Sequence, residues 1–526
     1  MYASSTASAS LRAWQRRALA EMDTWATGAF LVSASPGAGK TRPALELARA
    51  ELRRGAITGV IVVCPTAPLT RQWARAAHEI GLELAPDADS PRPPKGFHGV
   101  SVTYARVAKA PARWATATAR RPLVVADEAH HLGEELAWGE SFTRAFRGAP
   151  RWLLLSGTPF RSDATPIPGV RYDREGVAEP DVSYTYADAV ADGVCRPVCF
   201  VTYDGTLSWR SGDDVIESSF ETVLSTREAS RRYRTAISTE LPDGLPRILR
   251  EADVRLRALR QQGHVDAGGL VVAADASHAR RIAALLREAT GRSPVVVLHA
   301  ERAAAAKLAA FTRSRDPWIV AVNMVSEGVD IPRLRVGVYA TAAKTPLIFR
   351  QIVGRFVRTV PGRPVEPSWL YIPADSVLRD HASSIEQELR YALRGAEDLG
   401  EELERDEQRM QTERSEELAF VPLSADVAPQ MTLFGPPQTA RTAPTAMPVP
   451  PPVEAAEEPP VFERRAMLRN ERHRLVSEVR RRDGASHREI NAWLNRKLGI
   501  QSVEQASLEE LERSVELLVG RLTAKR

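Results

Sequence analysis

Ten short apolar runs, grouped in two blocks, constrain this chain more than any other feature. The first block holds AFLVSA, VIVVCP, VSVTY, LVVADE and WLLLSG, between residues 29 and 157. The second holds GLVVAAD, PVVVLH, WIVAVN, RVGVYA and WLYIP, between residues 269 and 373. A strand with one wet face alternates apolar and polar residues. These runs do not alternate, so both of their faces are buried. With helix-like segments between them, they predict parallel α/β sheets. Two blocks predict two lobes, and 526 residues are too many for a single core.

The remainder divides by composition. Residues 1–165 form the first lobe, 166–265 a connection with strand-like RPVCFVTYDG and an Arg-rich helix near 246–262, and 266–395 the second lobe. Residues 396–435 include the highly charged EELERDEQRM (401–410) and predict a solvated helical extension. Residues 436–460 are rich in Pro, Ala and Thr. Such a stretch cannot bury enough apolar area to offset chain entropy, which predicts a disordered linker. Residues 461–526 predict a small helical domain. Ser486 with Glu489 and Ser507 with Glu510 are capping-box pairs, and Leu508, Leu511, Val515, Leu518 and Leu522 share one helical face.

A formal charge of +5 is compatible with a polyanionic partner. Three cysteines in so long a chain exclude a disulfide scaffold and fit a reducing, cytoplasmic setting. Cys195 and Cys199 have no neighbouring Cys/His pair and read as buried strand residues rather than metal ligands. No apolar run is long enough to span a membrane.

The chemistry gathers where strands end. ASPGAGKT (34–41) follows the first strand. A Gly-rich turn into a helix presents backbone N–H groups to an anion, and the helix N-terminus favours negative charge. Pro36, Gly37, Ala38, Gly39, Lys40 and Thr41 are in register for a phosphate cradle, with Lys40 reaching the β- and γ-phosphates and Thr41 placed for Mg²⁺. The strict pattern wants Gly where this chain has Ala34. LVVADEAHHL (123–132) ends in two carboxylates and two imidazoles. A cradle needs a carboxylate for Mg²⁺ on a nearby strand, which suits Asp127, and Glu128 beside it can deprotonate water. Adjacent histidines cannot meet one metal from one helix face, which disfavours zinc.

In this order the motifs resemble those of the superfamily 2 DEAD/DEAH-box helicases, in the type III restriction-enzyme (ResIII-like) branch, over about residues 11 to 375. The resemblance implies two tandem RecA-like lobes, ATP and Mg²⁺ as cofactors, and nucleic acid as partner. It implies adenine recognition by Gln15 in LRAWQRRAL and backbone contact by Thr66 and Arg71 in VVCPTAPLTRQW. His130 of DEAH, with Ser156 and Thr158 of SGTPFRSD, takes the family's coupling role. VSEGVDIP contributes Glu327, Gly328 and Asp330; FRQIVGRFVR contributes Gln351 and the γ-phosphate arginines Arg355 and Arg358.

QMTLF (430–434) resembles the short peptide by which bacterial proteins dock on the sliding clamp, with Gln430, Leu433 and Phe434 as anchors. The helix ERRAMLRNERHRLVSEVRRRDG is dense in arginine, either as a solvated face or as a nucleic-acid contact. The expectation is an ATP-dependent DNA helicase or translocase in replication, repair or defence. The alternatives are an RNA helicase and a nucleotide-gated, clamp-tethered adaptor without unwinding activity.

Overall fold

All ten apolar runs form strands. The computed structural model describes residues 11–134, 136–157, 166–174, 178–211, 214–298, 301, 303–322, 331–360, 363, 365–394, 420–431 and 459–523. The chain divides into two compact units: Met1–Ala34, Gly39–Ser183 and Ala443–Arg526 form the first, Ser35–Ala38 and Tyr184–Thr442 the second.

The first unit is built on a seven-stranded sheet. Its order is Leu84–Ala85, Gly99–Thr103, Val60–Cys64, Leu123–Asp127, Arg151–Ser156, Gly28–Ala34, Val182–Tyr184. The pairs among the first six of these strands run parallel. Val60–Cys64 and Leu123–Asp127 are buried along their whole length, as their lack of alternation requires. Parallel pairing brings Cys64, Asp127, Ser156 and Ala34 to one edge, the carboxyl ends of the strands, where α/β sheets bind ligands. The helix Thr41–Arg54 leaves that edge, and Gly55 closes it in the left-handed conformation (φ 68°) that lets a backbone N–H cap the last turn.

The second unit carries an eight-stranded sheet in the order Asp214–Ser218, Val198–Ser211, Ser368–Pro373, Leu334–Ala340, Gly268–Ala273, Trp318–Val322, Val295–Val297. The eighth strand, Phe420–Met431, pairs antiparallel with Val198–Ser211. Gly269 opens one of the predicted runs for a steric reason. A Cβ there would stand 2.4 Å from the ring of buried Trp318.

Two expectations are corrected. Residues 166–265 are not a free-standing connection: Val182–Tyr184 completes the first sheet and Val198–Ser211 joins the second. The charged stretch 396–419 lies outside the described residues; the described part of 396–435, Phe420–Met431, is a strand rather than part of a helical extension. Its sequence alternates, with Val421, Leu423, Ala425 and Val427 between polar or turn residues; Ala425 is buried, Ser424 and Asp426 exposed. Pairing satisfies the open edge of Val198–Ser211, which helix formation would leave bare. The small helical domain expected at 461–526 is present and groups with the first unit. Val461–Asp483, His487–Leu498 and Leu508–Thr523 pack Leu475, Val479, Ile490, Leu494 and Leu518 together. They meet the first sheet's surroundings through Lys95–Glu510 (2.7 Å) and Arg75–Glu463 (2.8 Å). Both capping boxes are present. The proline-rich stretch 436–460 lies almost wholly outside the described residues.

Candidate functional site

The loop after Gly28–Ala34 needs glycine twice. Gly37 (φ 83°) and Gly39 (φ 84°) adopt the left-handed backbone that L side chains resist. Gly39 is also held from the side. Gln15 Nε2 donates to its carbonyl (3.0 Å), and Gln15 Oε1 accepts from the Arg12 amide (2.9 Å). A Cβ on Gly39 would press 3.1 Å from that same nitrogen. Gln15 is buried, so it braces the loop. Thr41 opens the helix Thr41–Arg54, whose N-terminal amides face the same edge.

Lys40 Nζ lies 2.6 Å from Glu128 Oε1. Glu128 reaches it because its own backbone turns left-handed (φ 51°) directly after the strand. That conformation costs a non-glycine residue on the order of 1 kcal/mol. Asp127 is only 4% exposed. Its Oδ2 accepts from Trp73 Nε1 (2.8 Å) and its Oδ1 from the Glu128 amide (3.1 Å). Tyr104 Oη donates to the Asp127 carbonyl (2.8 Å). His130 Nδ1 sits 2.9 Å from Ser156 Oγ and 3.6 Å from Glu128 Oε2. The structure therefore brings Lys40, Asp127, Glu128, His130 and Ser156 together. Trp73 and Tyr104 were missed. Both are aromatic side chains with a polar edge, on the segments following neighbouring strands, and only the fold shows which acceptor they reach.

The two acids are driven apart. Burial pushes the Asp127 carboxyl up to about 6, with the Glu128 charge adding to the rise and Lys40 opposing it. Burial also works to raise Glu128, but the charge and hydrogen bond of Lys40 together with the neighbouring His130 and His131 outweigh it, so Glu128 stays ionised. An acid whose folded value exceeds its unfolded one stabilises the fold fully at low pH and loses that contribution as pH rises through the folded value. In metal-free buffer, Asp127→Asn should therefore gain on the wild type by roughly 2 kcal/mol between about pH 4.5 and about pH 7.5. Urea denaturation reads this directly; a constant difference across that range contradicts it.

A buried carboxylate at the end of a strand, Asp127, and a threonine at the start of the helix leaving the same edge, Thr41, are oxygen donors of the kind that suits Mg²⁺, which keeps most of its own waters. Among the described residues no cluster of three His, Cys, Asp or Glu could hold a metal alone.

Other predicted residues scatter. Thr66 precedes the helix Ala67–His78, and Arg71 is paired with Asp87 (2.9 Å). In the second unit, Gln351 lies on the helix Pro346–Val353, and Arg355, just beyond it, is buried. Within that unit a Cβ on Gly37 would lie 3.2 Å from Arg358 Cγ, and one on Gly354 2.7 Å from Pro36 Cβ. Cys195 is buried, with its thiol 3.5 Å from the Pro36 carbonyl, while Cys199 is partly buried. Gln430 and Met431 end the strand paired to Val198–Ser211. Thr158, Glu327, Gly328, Asp330, Leu433 and Phe434 lie outside the described residues.

Comparison with known proteins follows the same lines. Residues 8–161 match the family model described as type III restriction enzyme, res subunit. The chain is a member of the superfamily 2 helicases, in their type III restriction-enzyme-like branch. It belongs to one family with the uncharacterized protein Rv2917 of Mycobacterium tuberculosis, with which it shares 43% identity over 444 residues, 82% of this chain and 73% of that one. The uncharacterized protein ML1624 of Mycobacterium leprae is 43% identical over 73% of this chain and 65% of its own. A fragment assigned to the HsdR subunit of a type I restriction enzyme from Vibrio vulnificus superposes with a TM-score of 0.48 at 15% identity, over 70% of this chain and 65% of that one. Superfamily membership implies ATP hydrolysis. No described helix of this helicase-family chain is long and apolar enough to cross a membrane.

Proposed function

We propose that this superfamily 2 protein hydrolyses ATP, in a nucleic-acid-dependent way, to move along or unwind DNA. The observation that carries the reading is the constellation of Lys40, Asp127 and Glu128 at the carboxyl edge of the first sheet. Lys40 and the loop amides bind the β- and γ-phosphates, and Asp127 with Thr41 holds Mg²⁺. When bound, Mg²⁺ would polarise the phosphoryl oxygens; Glu128 is placed to orient the attacking water and take its proton. Glu128 is fitted to this because it is ionised at neutral pH and its partner Lys40 turns to the phosphates once ATP binds. Arg355 and Arg358 supply guanidinium donors to the charge that develops on the γ-phosphate oxygens. The contact of His130 with Ser156 supports a coupling role, since movement of either side chain disturbs the other. Restriction-enzyme kinship favours DNA over RNA.

The test is phosphate release by the full chain with single-stranded DNA, duplex DNA or RNA, beside a strand-displacement assay. The reading expects DNA to stimulate turnover more than RNA does. Preferential stimulation by RNA would make this an RNA helicase. Stimulation without strand displacement points to a translocase; failure of DNA and RNA alike to stimulate removes the motor reading and leaves a nucleotide-gated adaptor. The clamp-docking peptide stands as a separate proposal, with Gln430 in the strand and its apolar anchors beyond it. Leu433→Ala with Phe434→Ala should abolish clamp capture in a pull-down, and undiminished capture rejects it.

A further inference from the structure

The C-terminal helices enclose a recess of about 460 Å³ that the ATP site does not use. Arg469, Arg472 and His473 of the helix Val461–Asp483 line it on one side. Asn491 of His487–Leu498 and Glu504 of the following loop close the others. Arg472 is the anomaly. Its side chain is only 6% exposed, yet among the described residues neither Nε nor Nη2 has a hydrogen-bond partner. Asn491 Oδ1 is likewise buried and unpartnered, and its carboxamide offers an N–H to the recess by a simple flip. Arg465, about two turns earlier on the same helix, shows the ordinary solution: its guanidinium donates to the carbonyls of Ala506 (3.1 Å), Val503 (3.4 Å) and Glu504.

A buried guanidinium with idle donors is costly, because desolvation is not repaid. Burial accordingly lowers the Arg472 pKa, Arg469 lowers it further, and Glu504 only partly opposes them. Glu504 is a poor counter-ion. It is 71% exposed and touches Arg469 at 3.5 Å. The site thus has donors converging from two helices and an excess of positive charge, on a helix that carries Arg464, Arg465, Arg469, Arg472 and Arg474 within eleven residues. A planar carboxylate is satisfied by one guanidinium. Donors from several directions match the tetrahedral oxygens of a phosphate, for which the guanidinium fork is also suited. The recess is larger than a bare phosphate needs and falls in the range of small-molecule sites.

We propose that this recess binds the phosphate group of a nucleotide, with Arg472 as its buried anchor and Arg469 and Asn491 as flanking donors. The phosphate belongs either to a nucleic-acid strand or to a free phosphorylated ligand. The site is independent of the ATP reading, and its test leaves Lys40 untouched.

The test uses the nucleotide-free full chain and two probes: a short fluorescent DNA strand, followed by anisotropy, and inorganic phosphate, followed by calorimetry. Arg472→Gln should weaken at least one probe about tenfold, the loss of one charge-assisted contact, and leave ATP turnover measured without nucleic acid unchanged. Loss of strand binding, with a salt dependence shallower by about one phosphate contact, identifies the strand as source. Loss of a phosphate-binding site with strand affinity unchanged identifies a free ligand. Glu504→Gln, an exposed change that cannot unfold the domain through its core, should tighten the same probe. If Arg472→Gln melts as the wild type does and both probes bind it and the Glu504→Gln protein unaltered, the proposal is overturned. If Arg472→Gln does not fold, the Glu504→Gln result alone decides.

Discussion

Glu128→Gln should lower ATP turnover by about 10²–10⁴-fold while ATP still binds. The substitution keeps the side chain's size and removes its ability to accept a proton. It also changes the ground state. The Lys40 ammonium rests 2.6 Å from the Glu128 carboxylate, so ATP must compete with Glu128 for it. A neutral glutamine weakens that competition, and affinity for ATP should rise by a factor of about 3 to 10, the worth of an ordinary hydrogen-bond difference. Steady-state phosphate release and titration with a fluorescent ATP analogue separate the two effects. Turnover within about threefold of wild type would remove Glu128 from the chemistry, since even a weak general base contributes more.

Lys40→Ala should show the opposite signature. Here binding itself falls, by about 10- to 100-fold for loss of a charge-assisted contact to phosphate, and turnover falls with it. The Glu128 carboxylate also loses the partner that holds it ionised. Lys40→Arg should not restore turnover: a planar fork does not replace a compact ammonium in a cradle shaped by Gly37 and Gly39. The same titration and phosphate-release assay read this variant. Wild-type affinity in Lys40→Ala would mean that the loop does not hold the phosphates.

Local patterning made much of this molecule legible. Runs such as VIVVC and LVVAD are buried on both faces, and only a parallel α/β sheet accommodates many of them. ASPGAGKT declares its turn because Gly37 and Gly39 must adopt positive φ, and Asp127 and Glu128 stand where an apolar run stops. What stayed hidden depends on partners far away in sequence. Trp73 looks like any core indole until the neighbouring strand brings Asp127 to its N–H. The strand Phe420–Met431 alternates clearly enough, but the acidic stretch before it dominates the composition, and its partner Val198–Ser211 lies some two hundred residues earlier. The attachment of the C-terminal helices to the first unit rests on pairs such as Lys95–Glu510, which no periodicity announces. Arg472 is one of many arginines in its helix; only packing distinguishes it from the solvated ones.

The most direct check of the motor account is phosphate release by the purified wild-type chain, with Mg²⁺ and ATP, as single-stranded or duplex DNA is added. The account predicts turnover that climbs with DNA until it saturates and disappears when Mg²⁺ is chelated. A rate that is flat in DNA and RNA alike, from protein that binds ATP normally, would contradict it.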